Sequence, residues 1–477
     1  MEQKKKKIEI KDMMLFLLLF VWILIPNLKL IKTTSLMTGI YEYKYMQIVG
    51  LIGIYIFVFT ILKKIIKNQN RKLLVKELLP VIFLIGYLIW TFFSCIFAEN
   101  KHNTFYGNEY RQEGFITYLI YAGFFACAFS IESNKLKKYL LNIFIIVAVT
   151  NSLLIYIVNN GNNLLEKIIF CKDIERGVFW NQNHYGYYLL LATILSNLFF
   201  ILENNRISKI LYMISYIILL YFLIINNTFG CYLAILITIL LFLIYCIYKK
   251  KHRFLCLISI IIFTILSICA KYNGNNIVYN NFQTFSKDIS CIFDLTRQDI
   301  KSETEDDLLK INSEEEKIEE TGSGRMRLWK YGIKIFFKNP ILGYGADNLQ
   351  VEYEKYNIDQ DRPHNLFIQL ATTSGIPGLI LYICGVGLII IRGFRRLESG
   401  NEIYLGMLFT IIAYLISAMF GNSMYYTSPY FFILLGMLYK QEFMTFQKNP
   451  KKILKNVLTY KNNRGIIKKY QATNEIK

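Results

Sequence analysis

The sequence predicts an all-α membrane protein with about twelve transmembrane helices and one large extracytoplasmic loop that contains amphipathic helices. Hydrophobic residues make up 54% of its 477 residues and charged residues only 18%, well below the ~25% usual in soluble proteins. Uncharged runs such as residues 115–131 approach the ~20 residues that cross a bilayer as a helix. Each span is expected to be helical because lipid offers no partner for free backbone groups.

The apolar segments divide the chain into four regions. The segments begin near Met13, Met46, Leu78, Phe115, Tyr139, Tyr185, Ile210, Phe229, Phe254, Asn365, Ile403 and Met424. Residues 1–270 therefore contain transmembrane helices 1–9, residues 271–363 the large loop, residues 364–440 helices 10–12, and residues 441–477 a basic tail. Within the loop, residues 288–320 are rich in acids and predict a solvated or partly disordered linker. Residues 325–349 begin with aromatics and interleaved lysines, which predict an amphipathic helix at the lipid headgroups.

The positions of the basic residues predict the orientation of the chain. The formal charge of +20 would suggest nucleic-acid binding in a soluble protein. Here the cations cluster in alternate loops, around residues 63–76, 135–138, 249–253 and 392–396, and at both ends of the chain. The positive-inside rule makes that side cytoplasmic, with both termini inside and the large loop outside.

The candidate chemistry lies in the outer loops, since the middles of the spans carry no Asp, Glu, Lys or Arg. Among four histidines, His364 follows Asp361-Arg362-Pro363, so Asp361 is expected to cap a helix with His364 in its first turn. A neutral imidazole there suits proton abstraction from a hydroxyl; a headgroup-facing polar residue is the alternative. Four arginines, Arg111, Arg325, Arg327 and Arg362, suit phosphate oxygens, although each alone is more often a snorkelling anchor. The sequence shows no metal-ligand spacing.

These motifs resemble those of the bacterial O-antigen ligase and polymerase family of membrane glycosyltransferases. The shared features are Arg325 with Trp329, Pro340 with Gly343 and Gly345, His364-Asn365, and Gly375-Ile376-Pro377-Gly378. Residues 106–114 resemble the family's glycine–arginine–glycine outer loop, and residues 179–184 its asparagine-containing entrance to a span. One position departs from the pattern. Where many relatives have Ser-Arg-Gly, this chain reads Thr228-Phe229-Gly230, which removes one candidate phosphate contact.

The resemblance implies a metal-independent glycosyltransferase at the outer face of the bacterial plasma membrane, without a cofactor. Its donor would be a polyprenyl-diphosphate-linked glycan, and its acceptor a hydroxyl on another glycan or lipid-linked core. His364 would be the general base, or at least the group that orients the acceptor, and Arg325 together with Arg111 would stabilise the leaving group. The further expected substrate contacts are Arg111, Arg327, Arg362, Asn365 and Asn183.

Two alternatives of other classes remain open. A lipid-linked oligosaccharide flippase or other carrier normally shows intramembrane charge and often two related halves, and neither is visible in this sequence. A non-catalytic sensor that keeps the fold is the other, because of the missing arginine. The residues do not separate polymerase from ligase; the Lys-, Asn-, Ile- and Tyr-rich composition mildly favours polymerisation of a capsule-like or cell-wall polysaccharide.

Overall fold

The computed structural model describes residues 9–32, 39–67, 71–109, 111–161, 163–171, 173–272, 275–299, 324–396 and 402–448. These residues are mainly helical, with one antiparallel pair of two-residue strands, Lys271–Tyr272 and Asn275–Asn276. In chain order the helices are α1 (Ile10–Lys29), α2 (Gly39–Lys67), α3 (Arg71–Phe97), α4 (Lys101–Tyr106), α5 (Phe115–Ser130), α6 (Asn134–Asn159), α7 (Asn163–Glu166), α8 (Gln182–Leu202), α9 (Arg206–Ile225), α10 (Phe229–Lys249), α11 (Arg253–Cys269), α12 (Ile277–Asp299), α13 (Arg325–Lys338), α14 (Gln350–Glu354), α15 (Leu366–Arg396), α16 (Glu402–Ser417) and α17 (Ser428–Lys448).

Each of the twelve predicted apolar segments coincides with a helix. Within the described ranges, nine helices are long and apolar enough to cross a membrane: α1, α2, α3, α6, α8, α9, α10, α15 and α16. Two further apolar helices are shorter, with 16 residues in α5 and 17 in α11. The last segment becomes helical at Ser428 rather than Met424, because residues 424–427 form a turn. The all-helical membrane class is confirmed, whereas twelve crossings stay a prediction.

The centre of the bundle is α8, which is buried along its whole apolar length. Four helices, α6, α9, α10 and α16, pack around it. Small residues allow another close approach, between α2 and α5. A Cβ atom added to Gly53 would lie 2.0 Å from the carbonyl oxygen of Gly123, so only glycine permits this spacing, as in other membrane helix pairs.

Two glycine motifs pack against each other near the start of α15. Gly375 has φ +67° and breaks α15 into two helical parts, and a Cβ there would lie 2.0 Å from the carbonyl oxygen of Ile341. The turn after α13 holds Gly343 and Gly345, also at positive φ. Its backbone donates from Gly345 N to the carbonyl oxygen of Thr373 at 2.9 Å. The glycine turn after α13 therefore contacts the protein backbone of α15.

Several described parts of residues 271–363 are helical. The first part of the acidic segment, residues 288–299, belongs to helix α12, and residues 300–323 lie outside the described residues. The amphipathic prediction matches α13, whose inner face buries Leu328, Gly332 and Ile335. The Tyr353 hydroxyl donates to the Leu328 carbonyl oxygen at 2.9 Å. The loop thus forms a small apolar core of its own against the start of α15.

Candidate active site

A buried cluster of charges joins the loop before α5, the turn after α13 and the segment before α15. At its centre lies Arg362, whose side chain is 1% exposed. Its guanidinium contacts Glu113 at 3.1 Å, Asp347 at 2.7 Å and Asp361 at 3.0 Å. Asp347 also accepts a hydrogen bond from the backbone amide of Asn108 at 2.8 Å. Because buried charges are tolerated when paired and hydrogen-bonded, the cluster fixes these three segments to one another.

The carboxyl groups of the cluster differ in acidity. Burial raises the pKa of Glu113, although Arg362 opposes this, and its oxygens accept hydrogen bonds from the hydroxyls of Tyr121 and Ser423. Burial also opposes ionisation of Asp361, but Arg362 and Arg111 outweigh it and hold the pKa of Asp361 at about 2. Glu113 therefore takes up a proton at higher pH than Asp361.

Arg111 is held in place by Asp361. Its Nε lies 2.7 Å from Asp361 Oδ2 and its Nη2 3.1 Å from Asp361 Oδ1, the parallel two-bond geometry that arginine forms with carboxylates. The prediction that Asp361 caps the helix before His364 is therefore wrong. Its carboxylate is used by two guanidinium groups instead, which is a stronger interaction than a cap offers.

His364 lies before α15 and not in its first turn, which corrects the sequence prediction. The helix begins at Leu366, and the residue that caps it is Asn365. Its Oδ1 accepts hydrogen bonds from the backbone amides of Phe367 at 3.0 Å and Ile368 at 3.2 Å, the usual role of an asparagine cap. Asn365 was expected to contact substrate, whereas its side-chain oxygen satisfies the helix terminus.

The imidazole of His364 has one buried and one open side. Its Nδ1 lies 3.1 Å from Asn422 Nδ2, and its Nε2 lies 3.4 Å from Oε1 of the exposed Gln360. The backbone has φ +50°, a left-handed conformation that costs a non-glycine residue roughly 1–3 kcal/mol and is enriched at functional sites. Burial, and next Arg325, lower the pKa of His364 to about 4, so the imidazole is neutral at pH 7.

Arg325 differs from the other candidate arginines because its guanidinium is not engaged by a carboxylate. It opens α13 after Gly324, is half-buried, and makes no hydrogen bond or ion pair with any residue that the structure describes. It is also the largest electrostatic influence on His364. Arg327, two residues later, packs over the ring of Tyr331 at 5.9 Å. The structure thus places a cation that is unpaired within the described ranges in electrostatic reach of the histidine.

The segment between α16 and α17, residues 421–427, was missed as a functional element and is here called the α17 connector. Its Asn422 contacts His364, as described above. The next residue, Ser423, donates from its hydroxyl to Glu113 Oε2 at 2.7 Å. The connector therefore touches both the histidine and the charge cluster. The sequence feature that could have revealed it is the run of small and polar residues Gly421-Asn422-Ser423 between two apolar segments.

The connector also holds the start of α8. A hydrogen bond of 2.5 Å joins Tyr426 Oη to Nδ1 of the buried His184. Asn183, a predicted substrate contact, lies beside it in the first turn of α8. Its backbone amide donates to Oδ1 of the capping Asn181 at 2.8 Å, and its half-buried side chain makes no hydrogen bond in the described parts of the chain. Asn183 thus borders the connector without a described bond to His364.

Phe229, the position at which the sequence departs from the family pattern described above, is buried in an aromatic cluster. Its ring lies 4.8 Å from that of Phe285 and 6.3 Å from that of Phe420, and the Phe420 ring lies 6.0 Å from Trp329. These contacts tie α10 and α12 to the segment before the connector and to α13. Phe229 is therefore part of an aromatic contact network that extends to the helix carrying Arg325.

An apolar cavity of about 320 Å³ lies between α2, α3, α5, α15 and α17. Its walls are almost wholly hydrocarbon and include Leu84, Leu119, Leu370 and Phe432. Ser423 of the connector also lines it, and this serine is the one hydrogen-bonded to Glu113. The cavity therefore ends at the charge cluster.

Comparison with known proteins agrees with the resemblance seen in the sequence. A family model described as O-antigen ligase matches residues 214–383, a range that includes Arg325, Arg362 and His364 but not Arg111. No curated protein matches the chain. Within the described ranges, no group of three His, Cys, Asp or Glu side chains is placed to hold a metal ion.

The matched range carries the arginine–tryptophan, proline–glycine, His-Asn and Gly-Ile-Pro-Gly motifs, and the helices around it are those of a multi-pass bacterial membrane protein. The match over residues 214–383 therefore supports the resemblance of this chain to the O-antigen ligase/polymerase family, a group of ligase-type membrane glycosyltransferases.

Proposed function

We propose that this protein transfers glycan from a polyprenyl-diphosphate-linked donor to a hydroxyl group at the outer face of the plasma membrane. The oxygen of the acceptor hydroxyl forms a bond to the anomeric carbon of the donor glycan, and its proton passes to the imidazole of His364. The bond from that carbon to the diphosphate breaks, and its electron pair leaves with the polyprenyl diphosphate. The reaction needs neither metal nor cofactor. The observation that carries the proposal is the neutral His364 within electrostatic reach of Arg325, whose guanidinium has no carboxylate partner among the described residues.

Arg325 offsets the charge that develops on the diphosphate as the bond breaks. A guanidinium stays charged and grips phosphate oxygens with parallel hydrogen bonds. Arg111 has both of these positions bound to Asp361, and Arg362 is enclosed by three carboxylates. We therefore give Arg325 the catalytic electrostatic role and Arg362 a positioning role. Arg111 lies at the rim and can reach the diphosphate once it exchanges Asp361 for phosphate oxygens.

Replacement of Arg325 with Ala should lower kcat/KM for glycan transfer about 10²–10³-fold, the usual cost of removing one donor to a developing anion. Arg325→Lys should recover part of the rate, because lysine keeps the charge but not the two-bond geometry. Lys334→Ala, which removes an exposed cation from the same helix, is the matched control and should remain active. Equal activity of the Arg325 and Lys334 variants would remove Arg325 from the mechanism.

The apolar cavity suits part of the polyprenyl chain of the donor. Burial of hydrocarbon there is favourable by about 25 cal/mol per Å² of apolar surface. Since Ser423 links the cavity to Glu113 and Asn422 links the connector to His364, a chain lying in it would bring its diphosphate toward the cluster. We propose Arg327, Asn183 and the rim of the connector as contacts for the glycan itself.

The pH dependence of transfer should follow His364, which must be neutral to accept a proton. Its pKa of about 4 means that kcat/KM, which reports the free enzyme, should hold at pH values above about 4 and fall below that. The bound diphosphate offsets the charge of Arg325 and so raises the pKa of His364 in the complex. The acid limb of kcat should therefore lie at higher pH than that of kcat/KM. If the acid limbs of kcat and kcat/KM lay at the same pH, the proposed effect of bound diphosphate on the pKa of His364 would be contradicted.

Proteoliposomes that contain the purified protein and labelled lipid-linked glycan from the source bacterium test the class of function. The proposal predicts that labelled glycan becomes longer or moves to an acceptor, with release of polyprenyl diphosphate. Movement of intact donor across the membrane without any change of its length would favour the flippase alternative. A surface-glycan gel from a deletion strain separates the two enzymes: single units without a ladder indicate a polymerase, and unanchored polymer indicates a ligase.

A further inference from the structure

The surroundings of His364 restrict which ring nitrogen can meet a substrate. The Nδ1 side is closed by Asn422, which is 5% exposed and lies 3.1 Å away. The Nε2 side faces Gln360, whose side chain is exposed. An acceptor hydroxyl therefore approaches Nε2, and Nε2 can take its proton only if the ring proton resides on Nδ1.

Asn422 can fix that arrangement through its side-chain oxygen. An amide group presents either NH₂ or C=O to a neighbour after a half turn of its terminal torsion, and only the oxygen can accept a bond from Nδ1–H. As found, Asn422 Oδ1 is buried and has no hydrogen-bond partner among the described residues. A buried acceptor without a donor is costly, so this oxygen is the available partner for an Nδ1 proton.

We infer that Asn422 is a positioning residue for the transfer reaction, which accepts the Nδ1 proton of His364 and so keeps Nε2 basic toward the acceptor hydroxyl. This inference rests on the proposed role of His364 as general base. The residue acts through His364 and touches no reacting atom. The α17 connector then contributes to the reaction as well as to packing. The same segment forms hydrogen bonds with Glu113 through Ser423 and with His184 through Tyr426.

Other charged groups determine the electrostatic potential around His364 and Asn422. Cations surround the ring, and Asp361 is the carboxylate that opposes them. The titratable and charged groups that act on His364 from the neighbouring segments are Arg325, Asp361, Arg111, Arg362 and His184. All of them are present in both an Asn422 variant and the wild type. A change confined to Asn422 therefore isolates its own effect on the ring.

Nitrogen NMR of ¹⁵N-histidine-labelled protein in detergent tests the inference without any substrate. The chain has four histidines, and His364→Gln assigns the resonance of interest. The wild type at pH 7 should show the Nδ1–H form of His364, and Asn422→Leu should lose the preference for that form. Asn422→Asp should keep it and raise the pKa of the ring by roughly 1–2 units, as a nearby carboxylate does. An Nε2–H form in the wild type would overturn the inference.

The pH profile of transfer supplies a second readout that a packing role would not move. Asn422→Leu should lose about 10²-fold or more in kcat, the contribution of a general base, while Asn422→Asp should stay active with its acid limb shifted to higher pH. Asn280→Asp adds the same charge at an exposed position of α12 and should leave the limb unchanged. If the acid limb of the pH profile of Asn422→Asp coincided with that of the wild type, the role of Asn422 would be contradicted. Full activity of His364→Ala would instead refute the proposed function.

Discussion

Replacement of His364 with Ala should lower glycan transfer about 10²–10⁴-fold, the contribution of a positioned general base. The side chain is the neutral imidazole that faces the open side of the site, and Asn365, not His364, caps α15. The variant should therefore insert in the membrane in normal amounts. A surface-glycan gel from cells that carry only this variant checks the result, with immunoblotting of membranes as the control. Normal surface glycan would refute the role of His364.

Replacement of Arg362 with Met should give the largest loss of stability, about 3–5 kcal/mol, because it leaves buried carboxylates without their cation. Glu113 and Asp347 are 2% and 1% exposed in their side chains, so neither can turn to water. The rate of glycan transfer should also fall, because the segments that carry Arg111 and His364 are no longer joined by the ion pairs of Arg362.

Thermal unfolding of the purified protein in detergent, followed by tryptophan fluorescence, measures this loss. Arg362→Met combined with Glu113→Gln is the matched variant, because it also removes one of the stranded charges. The double variant should unfold at a higher temperature than Arg362→Met alone. If Arg362→Met unfolded at the wild-type temperature, the charge cluster would not hold the loops together.

The fold class was predictable from the sequence because apolar length and loop charge are local properties. Each apolar segment became a helix, and the amphipathic stretch after Arg325 became α13. The central place of α8 was not predictable, because many helices here are apolar and only packing shows which one is enclosed. Residues 288–299 were expected to be a linker, yet they continue a helix that begins in the less acidic sequence from Ile277.

The candidate site was predictable by residue type but not by role. Arg111, Arg325 and Arg362 look alike in the sequence, and only the three-dimensional partners distinguish them. Asp361 and Arg362 are neighbours in the chain, but their other partners lie far away in sequence, at Arg111 and Glu113. The Asn422 contact joins residues 58 positions apart, and no periodic pattern reveals a pairing of that kind.

The division of labour among the arginines follows from these partners. An arginine whose guanidinium donors are bound by carboxylates has a structural role. An arginine without such partners remains able to bind an anion. Arg325 is of the second kind in the described parts of the chain. Phe229 carries no charge and contacts α13 indirectly, through Phe420 and Trp329.

Transfer in a single turnover tests the central claim most directly. Purified wild-type protein and His364→Ala are each mixed in proteoliposomes with labelled lipid-linked glycan, at a lower concentration than the protein, and with an excess of unlabelled acceptor glycan from the source bacterium. The labelled product is followed over time. The account predicts that both proteins bind the donor equally well, through Arg325 and the apolar cavity, and that only the wild type converts it at an appreciable rate. Conversion by His364→Ala at the wild-type rate would contradict the account.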